Sequence, residues 1–138
     1  DRANAADFPP VGISARSRQI LMHSLDEAMN HPRGTAYRSR ISEPGRFAGG
    51  KTGTAQVRRI TMIERESGVK KNKERPWRER DHSLFVGYAP VDQPRYAVSV
   101  VVEHSGGGSR TAAPIAHDVL KEVQRLYAPS QLAKRGAT

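Results

Sequence analysis

The sequence predicts an α+β domain in which part of an antiparallel sheet is flanked by helices. Three observations carry that expectation. Residues 83–89 (SLFVGYA) and 95–104 (RYAVSVVVEH) are rich in β-branched and aromatic residues. The turn Pro90-Val-Asp-Gln-Pro94 between them is short enough for an antiparallel hairpin. Apolar residues at 3.6-residue spacing mark a helix near each end of the chain.

In chain order, residues 1–12 are polar, contain Pro9-Pro10 and predict an extended lead-in. The first helix spans 14–30, with Ser14 as N-cap. Ile13, Ile20, Leu21, Leu25, Ala28 and Met29 form its apolar side, and Pro32 and Gly34 stop it. Residues 47–60 predict a strand through Phe47, Ala48, Thr52, Thr54, Val57 and Ile60, although their glycines lower the propensity. Residues 64–82 hold seven Lys or Arg against five Asp or Glu, with Trp77 the main apolar side chain, and predict a long, solvated, mobile loop. After the hairpin, Ser105–Ser109 (SGGGS) is a Gly-rich turn into a helix over 111–127. Ile115, Val119, Val123 and Leu126 mark the apolar face of that helix, and Pro114 sits in its first turn, where proline is tolerated. The tail 128–138 is expected to fray.

Composition narrows the function classes. The chain has 138 residues, one domain's worth, but only 36% are hydrophobic, against about 45% in globular domains. Such a core is thin unless further chain completes it. The chain does not start with Met and reads as a piece of a longer one, with any export signal upstream. No apolar run approaches the ~20 residues of a membrane span. There is no Cys, which excludes disulfides and thiolate metal sites. The five histidines (23, 31, 82, 104, 117) lack metal-ligand spacing, so neither metal nor cofactor is expected. The net charge is +9, and residues 33–59 hold seven Lys or Arg against Glu43 alone. That stretch favours an anionic partner: nucleic acid, anionic lipid or a carboxylate-rich polymer.

The chemistry concentrates in GRFAGGKTGTAQV, residues 45–57. Gly45–Thr52 fits G-x-x-x-x-G-K-[ST], the phosphate-binding loop. That loop needs an apolar strand before it and a helix starting at the Lys, because the helix N-terminus holds the phosphates. Here YRSRISEP precedes the motif and Thr-Gly-Thr-Ala-Gln-Val follows it, so neither condition is met. Lys51-Thr52-Gly53-Thr54 on a strand suits a different task. Lys51 supplies a fixed positive charge for a substrate carboxylate and can aid proton traffic at a neighbouring Ser. Thr52 and Thr54 offer hydroxyl donors, and Gly53 lets a ligand backbone lie against the strand. The backbone N–H of Thr54 is a candidate oxyanion-hole donor. Strand alternation puts Lys51 and Gly53 on one face and Thr52 and Thr54 on the other. One ligand meets all four only along a twisted strand edge.

Other features are weaker. Ser105–Ser109 lies where an anion cradle would, but is not G-x-G-x-x-G and reads as a plain strand-to-helix turn. Glu103 and His104 at its lip are acid–base candidates, more simply read as polar strand-end residues. Trp77 among basic residues suits base stacking, but with aromatics at 6% a basic nucleic-acid-binding module is the lesser alternative. Ser67-Gly-Val-Lys70 matches S-x-x-K, yet it follows the K-T-G motif and sits in the charged loop, which marks it as a chance match.

Taken in order, AGGKTGTAQV, RERDHSLFVGYAP, the AVSVVVEH strand, the Gly-rich turn and the last helix resemble the C-terminal part of a penicillin-binding protein transpeptidase domain. The likeness covers nearly all of residues 13–127 and is nearest to the class B, elongation-type penicillin-binding protein 2, through Arg80-Asp81-His82 and the charged insert. It implies that residues 1–138 are the C-terminal part of one such domain and supply the last three strands and final helix of its sheet. It implies a serine-type D,D-transpeptidase that cross-links peptidoglycan stem peptides and binds β-lactams. In that family Lys51, Thr52, Gly53 and Thr54 would wall the cleft. The S-x-x-K nucleophile and the S-x-N motif would come from upstream in the same polypeptide, so this chain alone is expected to be inactive. The resemblance also implies the periplasmic face of the bacterial inner membrane, with the anchor upstream, a SEDS-type glycosyltransferase of the elongation complex as partner, and no nucleic acid. The alternative reading is a P-loop nucleotide-binding protein using Gly45–Thr52.

Overall fold

A computed structural model describes residues 11–127. The predicted lead-in, apart from its last two residues, and the predicted tail lie outside them. The elements are α1 (Ala15–Asn30), β1 (Gly49–Ala55), α2 (Met62–Ser67), β2 (His82–Ala89), β3 (Tyr96–Val102) and α3 (Ala112–Leu126). The three strands form one antiparallel sheet in the order β1-β2-β3, and the α+β class expected from sequence is the class observed.

Ser14 caps α1 by accepting from the Ser17 N–H at 3.0 Å. The helix ends where His31 N–H returns to Glu27 O, just before Pro32. The chain then doubles back so tightly that a Cβ on Gly34 would collide with the Ala28 carbonyl. Asn30 Nδ2 donates to Asp26 Oδ1 at 2.7 Å and to Ala48 O at 2.9 Å, which ties the helix end to the start of β1.

Strand β1 is shorter than the predicted 47–60. It pairs with β2 from Gly49↔Tyr88 to Ala55↔His82, where the ladder ends with the first residue of β2. One face of the sheet is covered by α3, where Phe85, Ala89, Ala112, Ala113, Ala116 and Leu120 are buried together. A side chain at Gly50 would collide with the Phe85 ring, so glycine there is a packing requirement.

Both helices correct the sequence expectation of their buried faces. On α1 only Met29 is buried, while Ile20 and Leu21 are half exposed or more. On α3 the inward face is Ala112, Ala113, Ala116, Leu120 and Gln124, whereas Ile115, Val119 and Leu126 are 40–48% exposed. Alanine lets α3 approach the sheet closely, and the larger apolar stripe faces outward. Val86 and Val101, on the opposite sheet face from α3, are also more than half exposed.

The 64–82 segment is not the unanchored loop the charges suggested. Helix α2 begins with a Thr61–Glu64 capping box, and single 3-10 turns follow at Asn72–Glu74 and Trp77–Glu79. Arg58 grips both Glu64 oxygens, at 2.6 and 2.9 Å. Arg75 and Asp81 form a buried pair at 3.4 Å, and Asn72 donates to Asp81 Oδ2 and accepts from its N–H, both at 2.9 Å. Arg75 is matched by Asp81 within the segment and Glu64 by Arg58 outside it, and these pairs anchor a segment whose other basic side chains form no ion pair among the described residues.

Removing Asp81 strands a buried guanidinium, so Asp81→Ala should destabilise this segment by about 3 kcal/mol. Trypsin should then cleave within 64–82 faster than in the parent, and equal cleavage rates would contradict the anchoring role. The Arg58 hydrogen bonds, followed by the Thr61 N–H, lower the Glu64 carboxyl from its ordinary 4.5 to about 2. A depressed carboxylate stabilises the fold fully above its ordinary value and loses that contribution as pH falls toward the folded value. An NMR titration should therefore place the Glu64 midpoint near 2, moving back toward 4.5 in Arg58→Ala. The same ordinary midpoint in both proteins would count against the pair.

Candidate active site

The K-T-G residues lie on β1, which among the described residues pairs on one side only. Their orientation follows from the ladder. The carbonyl oxygens of Gly53 and Leu84 both crowd the single point that a Cβ on Gly108 would occupy. The two oxygens therefore point between the strands, and Gly53↔Leu84 is a hydrogen-bonded pair. By alternation Thr52 and Thr54 are the non-hydrogen-bonded positions, and their backbone N–H and C=O groups face the open edge.

That edge reconciles the two faces of the motif. Lys51 Nζ bends around to donate to Thr52 O at 2.9 Å, on the open side. Lys51 and Thr54 are exposed, and Thr52 and Gly53 are half-buried. The Thr52 hydroxyl donates to Thr35 Oγ1 at 3.1 Å. The Lys51 ammonium and the outward Thr54 N–H thus share one strand edge, with the Thr52 and Thr54 side chains together on one face of the strand, donors suited to a carboxylate and a developing oxyanion. Beside it, Lys51 and Thr35 border an open cavity of about 540 Å³ whose other wall is the α1 face carrying His23 and Glu27, with the C-cap residue His31.

Thr35 was not singled out by the sequence reading. It is 17 residues from Thr52, and only the return of the chain after α1 brings the two hydroxyls together.

Other candidates resolve into structure. No helix begins at Lys51, because residues 49–55 are strand, so the helix N-terminus required by the nucleotide reading of Gly45–Thr52 does not exist. Ser67 is the last residue of α2, its hydroxyl donates to Ile63 O at 2.7 Å, and the helix stops before Lys70. Ser67 and Lys70 therefore do not share the helical turn that would place an amine over the hydroxyl. His104, at φ +52, is a structural pin. Its N–H donates to His82 Nδ1 at 2.9 Å, its own Nδ1 lies 3.0 Å from Arg80 O, and its ring sits 4.4 Å from that of Trp77. Glu103 is exposed. The basic stretch 33–59 is not one free patch, since Arg58 is paired with Glu64 and Arg40 lies 4.0 Å over the Tyr37 ring. Among the described residues no group of His, Asp or Glu is placed to hold a metal ion.

The chain is similar to known proteins in both sequence and fold. A family model for the penicillin binding protein transpeptidase domain matches residues 11–121. The peptidoglycan D,D-transpeptidase MrdA of Haemophilus influenzae is 34% identical over 126 residues, covering 84% of this chain and 18% of that protein. MrdA of Escherichia coli K12 is 34% identical over 101 residues, covering 72% of this chain and 15% of that protein. The chain thus spans under a fifth of the length of these relatives. Among solved structures, penicillin-binding protein PBP2 of Helicobacter pylori, in complex with MreC, superposes with a TM-score of 0.65 at 26% identity over 83% of this chain and 19% of that one. The transpeptidase domain of Burkholderia pseudomallei penicillin-binding protein 3 gives 0.64 at 25% identity, over 92% of this chain and 35% of that one. By its matched residues and its fold, the chain belongs to the penicillin-binding protein transpeptidase domain family.

Proposed function

We propose that this chain is the C-terminal part of the single transpeptidase domain of an elongation-type peptidoglycan D,D-transpeptidase, and that β1 is one wall of its active site. The observation that carries the reading is the open edge of β1, to which the Thr54 N–H turns and over which the Lys51 ammonium bends. The donor stem peptide lies along this edge with its terminal carboxylate on Lys51, Thr52 and Thr54. Gly53 leaves room for its backbone. A Ser from upstream attacks the penultimate carbonyl, whose oxygen takes negative charge against the Thr54 N–H. The C–N bond to the terminal D-Ala breaks, and D-Ala leaves with the proton taken from the Ser. The amine of a second stem then attacks the ester carbonyl, forms the new C–N bond and returns a proton to the Ser. A β-lactam enters as donor and stalls at the ester.

The upstream sequence also accounts for the exposed apolar surface. Ile20, Leu21, Val86, Val101, Ile115 and Val119 belong to two helices and the open sheet face. They suit burial by the rest of the polypeptide, which would also supply S-x-x-K and S-x-N. We place the intact protein at the periplasmic face of the inner membrane, anchored by upstream sequence. Among the described residues no helix is long and apolar enough to cross a membrane. Its partners in this reading are a SEDS-type glycosyltransferase and an MreC-like scaffold.

Fluorescent penicillin should label the full-length protein covalently. Lys51→Ala should slow labelling by at least about tenfold, the loss of one charge-assisted contact. Ser67→Ala should label like the parent, and the isolated 138-residue chain should not label. Labelling that survives Lys51→Ala unchanged, or that is lost in Ser67→Ala, would refute the assignment.

A further inference from the structure

A second concavity lies across the Gly-rich turn from the K-T-G strand. It has a volume of about 510 Å³, and its walls are the 71–80 segment and the Ser105–Arg110 turn. Lys71, Lys73, Arg80 and Arg110 converge on it, with no carboxylate in the lining. Among the described residues none of the four forms an ion pair. Four like charges around one hollow repel each other until an anion enters, and together they focus a positive potential there.

The hollow is built rather than incidental. Arg80 Nε is fixed on Arg75 O at 3.1 Å, which leaves its two terminal nitrogens for a ligand. Asn72 is locked to Asp81 on both sides, and the Gly106 N–H donates to Asp81 O at 2.9 Å, so the two walls are clamped together. Asp81 itself is spent on Arg75 and Asn72, leaving the cations unopposed. The wall formed by the turn rests on the catalytic strand, because Gly108 packs on the Gly53 backbone too closely to admit any side chain.

We propose that this hollow binds the terminal carboxylate of the second, amine-bearing stem peptide. The inference rests on the reading of β1 as the donor site. The donor carboxylate is held on one side of the Gly-rich turn, and the acceptor, as a linear peptide, carries a carboxylate of its own. Phosphodiester chains fit less well. The lining has no aromatic ring on which a base would stack, and the ring of Trp77 lies against His104.

The test uses full-length protein with a pentapeptide donor and an amine-bearing acceptor peptide, supplied as the free acid and as the C-terminal amide. The readout is acceptor-dependent transfer relative to penicillin acylation in the same preparation. Amidating the acceptor should raise its KM about tenfold, the size of one charge-assisted hydrogen bond. Lys73→Gln and Arg110→Gln should each raise the KM of the free acid similarly, and add little to the loss already caused by amidation. Equal KM values for acid and amide, or additive losses, would overturn the proposal. If the parent fails to acylate with penicillin, the donor-site reading falls separately. Equilibrium binding of the two peptides then decides the hollow: acid-selective binding lost in Arg110→Gln supports a carboxylate site, and no selectivity overturns it. Single-stranded DNA binding tighter than that of either peptide, and abolished by the same substitutions, would assign the hollow to phosphodiesters and also overturn it.

Discussion

Among the described residues strand β1 exchanges backbone hydrogen bonds with β2 alone, and the register of that ladder decides which groups face outward. Because Gly53 and Leu84 bond to each other, Thr52 and Thr54 turn their amides to the open edge. A slip of one residue would aim the Gly53 amide outward instead and move every side chain to the other face. The donor set at the edge is therefore a consequence of pairing, and the rest of the fold can be understood as holding that pairing in place.

Several elements do so from different directions. Phe85 fills the space over Gly50, so the two strands cannot slide without leaving either a collision or a void. Helix α1 fixes the start of β1 through Asn30 and Ala48, and Tyr88 Oη donates to Met22 O at 3.3 Å on the same face. Helix α3 lies close over β2 and β3 because its inward residues are mostly alanines. Gln124 Nε2 reaches Arg46 O at 3.1 Å, and His117 Nδ1 lies 3.0 Å from Ser39 O, so the last helix also secures the chain leading into β1. The Gly-rich turn completes the frame by laying Gly108 on the Gly53 backbone.

Local signals in the sequence were enough to place both long helices, the hairpin and the K-T-G strand, because capping, β-branching and turn residues act over a few positions. The Ser14 cap and the stop at Pro32 are of that kind. What lay beyond reach depends on tertiary pairing. The buried face of α3 is set by how near it comes to the sheet, so Ala116 and Leu120 point inward while Ile115 and Val119, stronger in the apolar pattern, point out. The 64–82 segment read as solvated because its charges look unmatched along the chain, and the fold matches Arg75 with Asp81 and Arg58 with Glu64. Thr35 and the hollow beyond the Gly-rich turn join residues distant in sequence, and no spacing rule reaches them. The tension between the two faces of Lys51-Thr52-Gly53-Thr54 was visible early, and its resolution at an open strand edge required knowing which pairs are hydrogen-bonded.

The central claim is that this edge stays open in the intact protein and receives the acylating ligand. A crystal structure of the full-length protein acylated by penicillin tests it most directly. The account predicts the acyl carbonyl oxygen about 3 Å from the Thr54 backbone nitrogen, with the ligand carboxylate on the Thr52 and Thr54 hydroxyls. Another strand paired along the outer edge of β1, or a ligand bound away from it, would contradict the account.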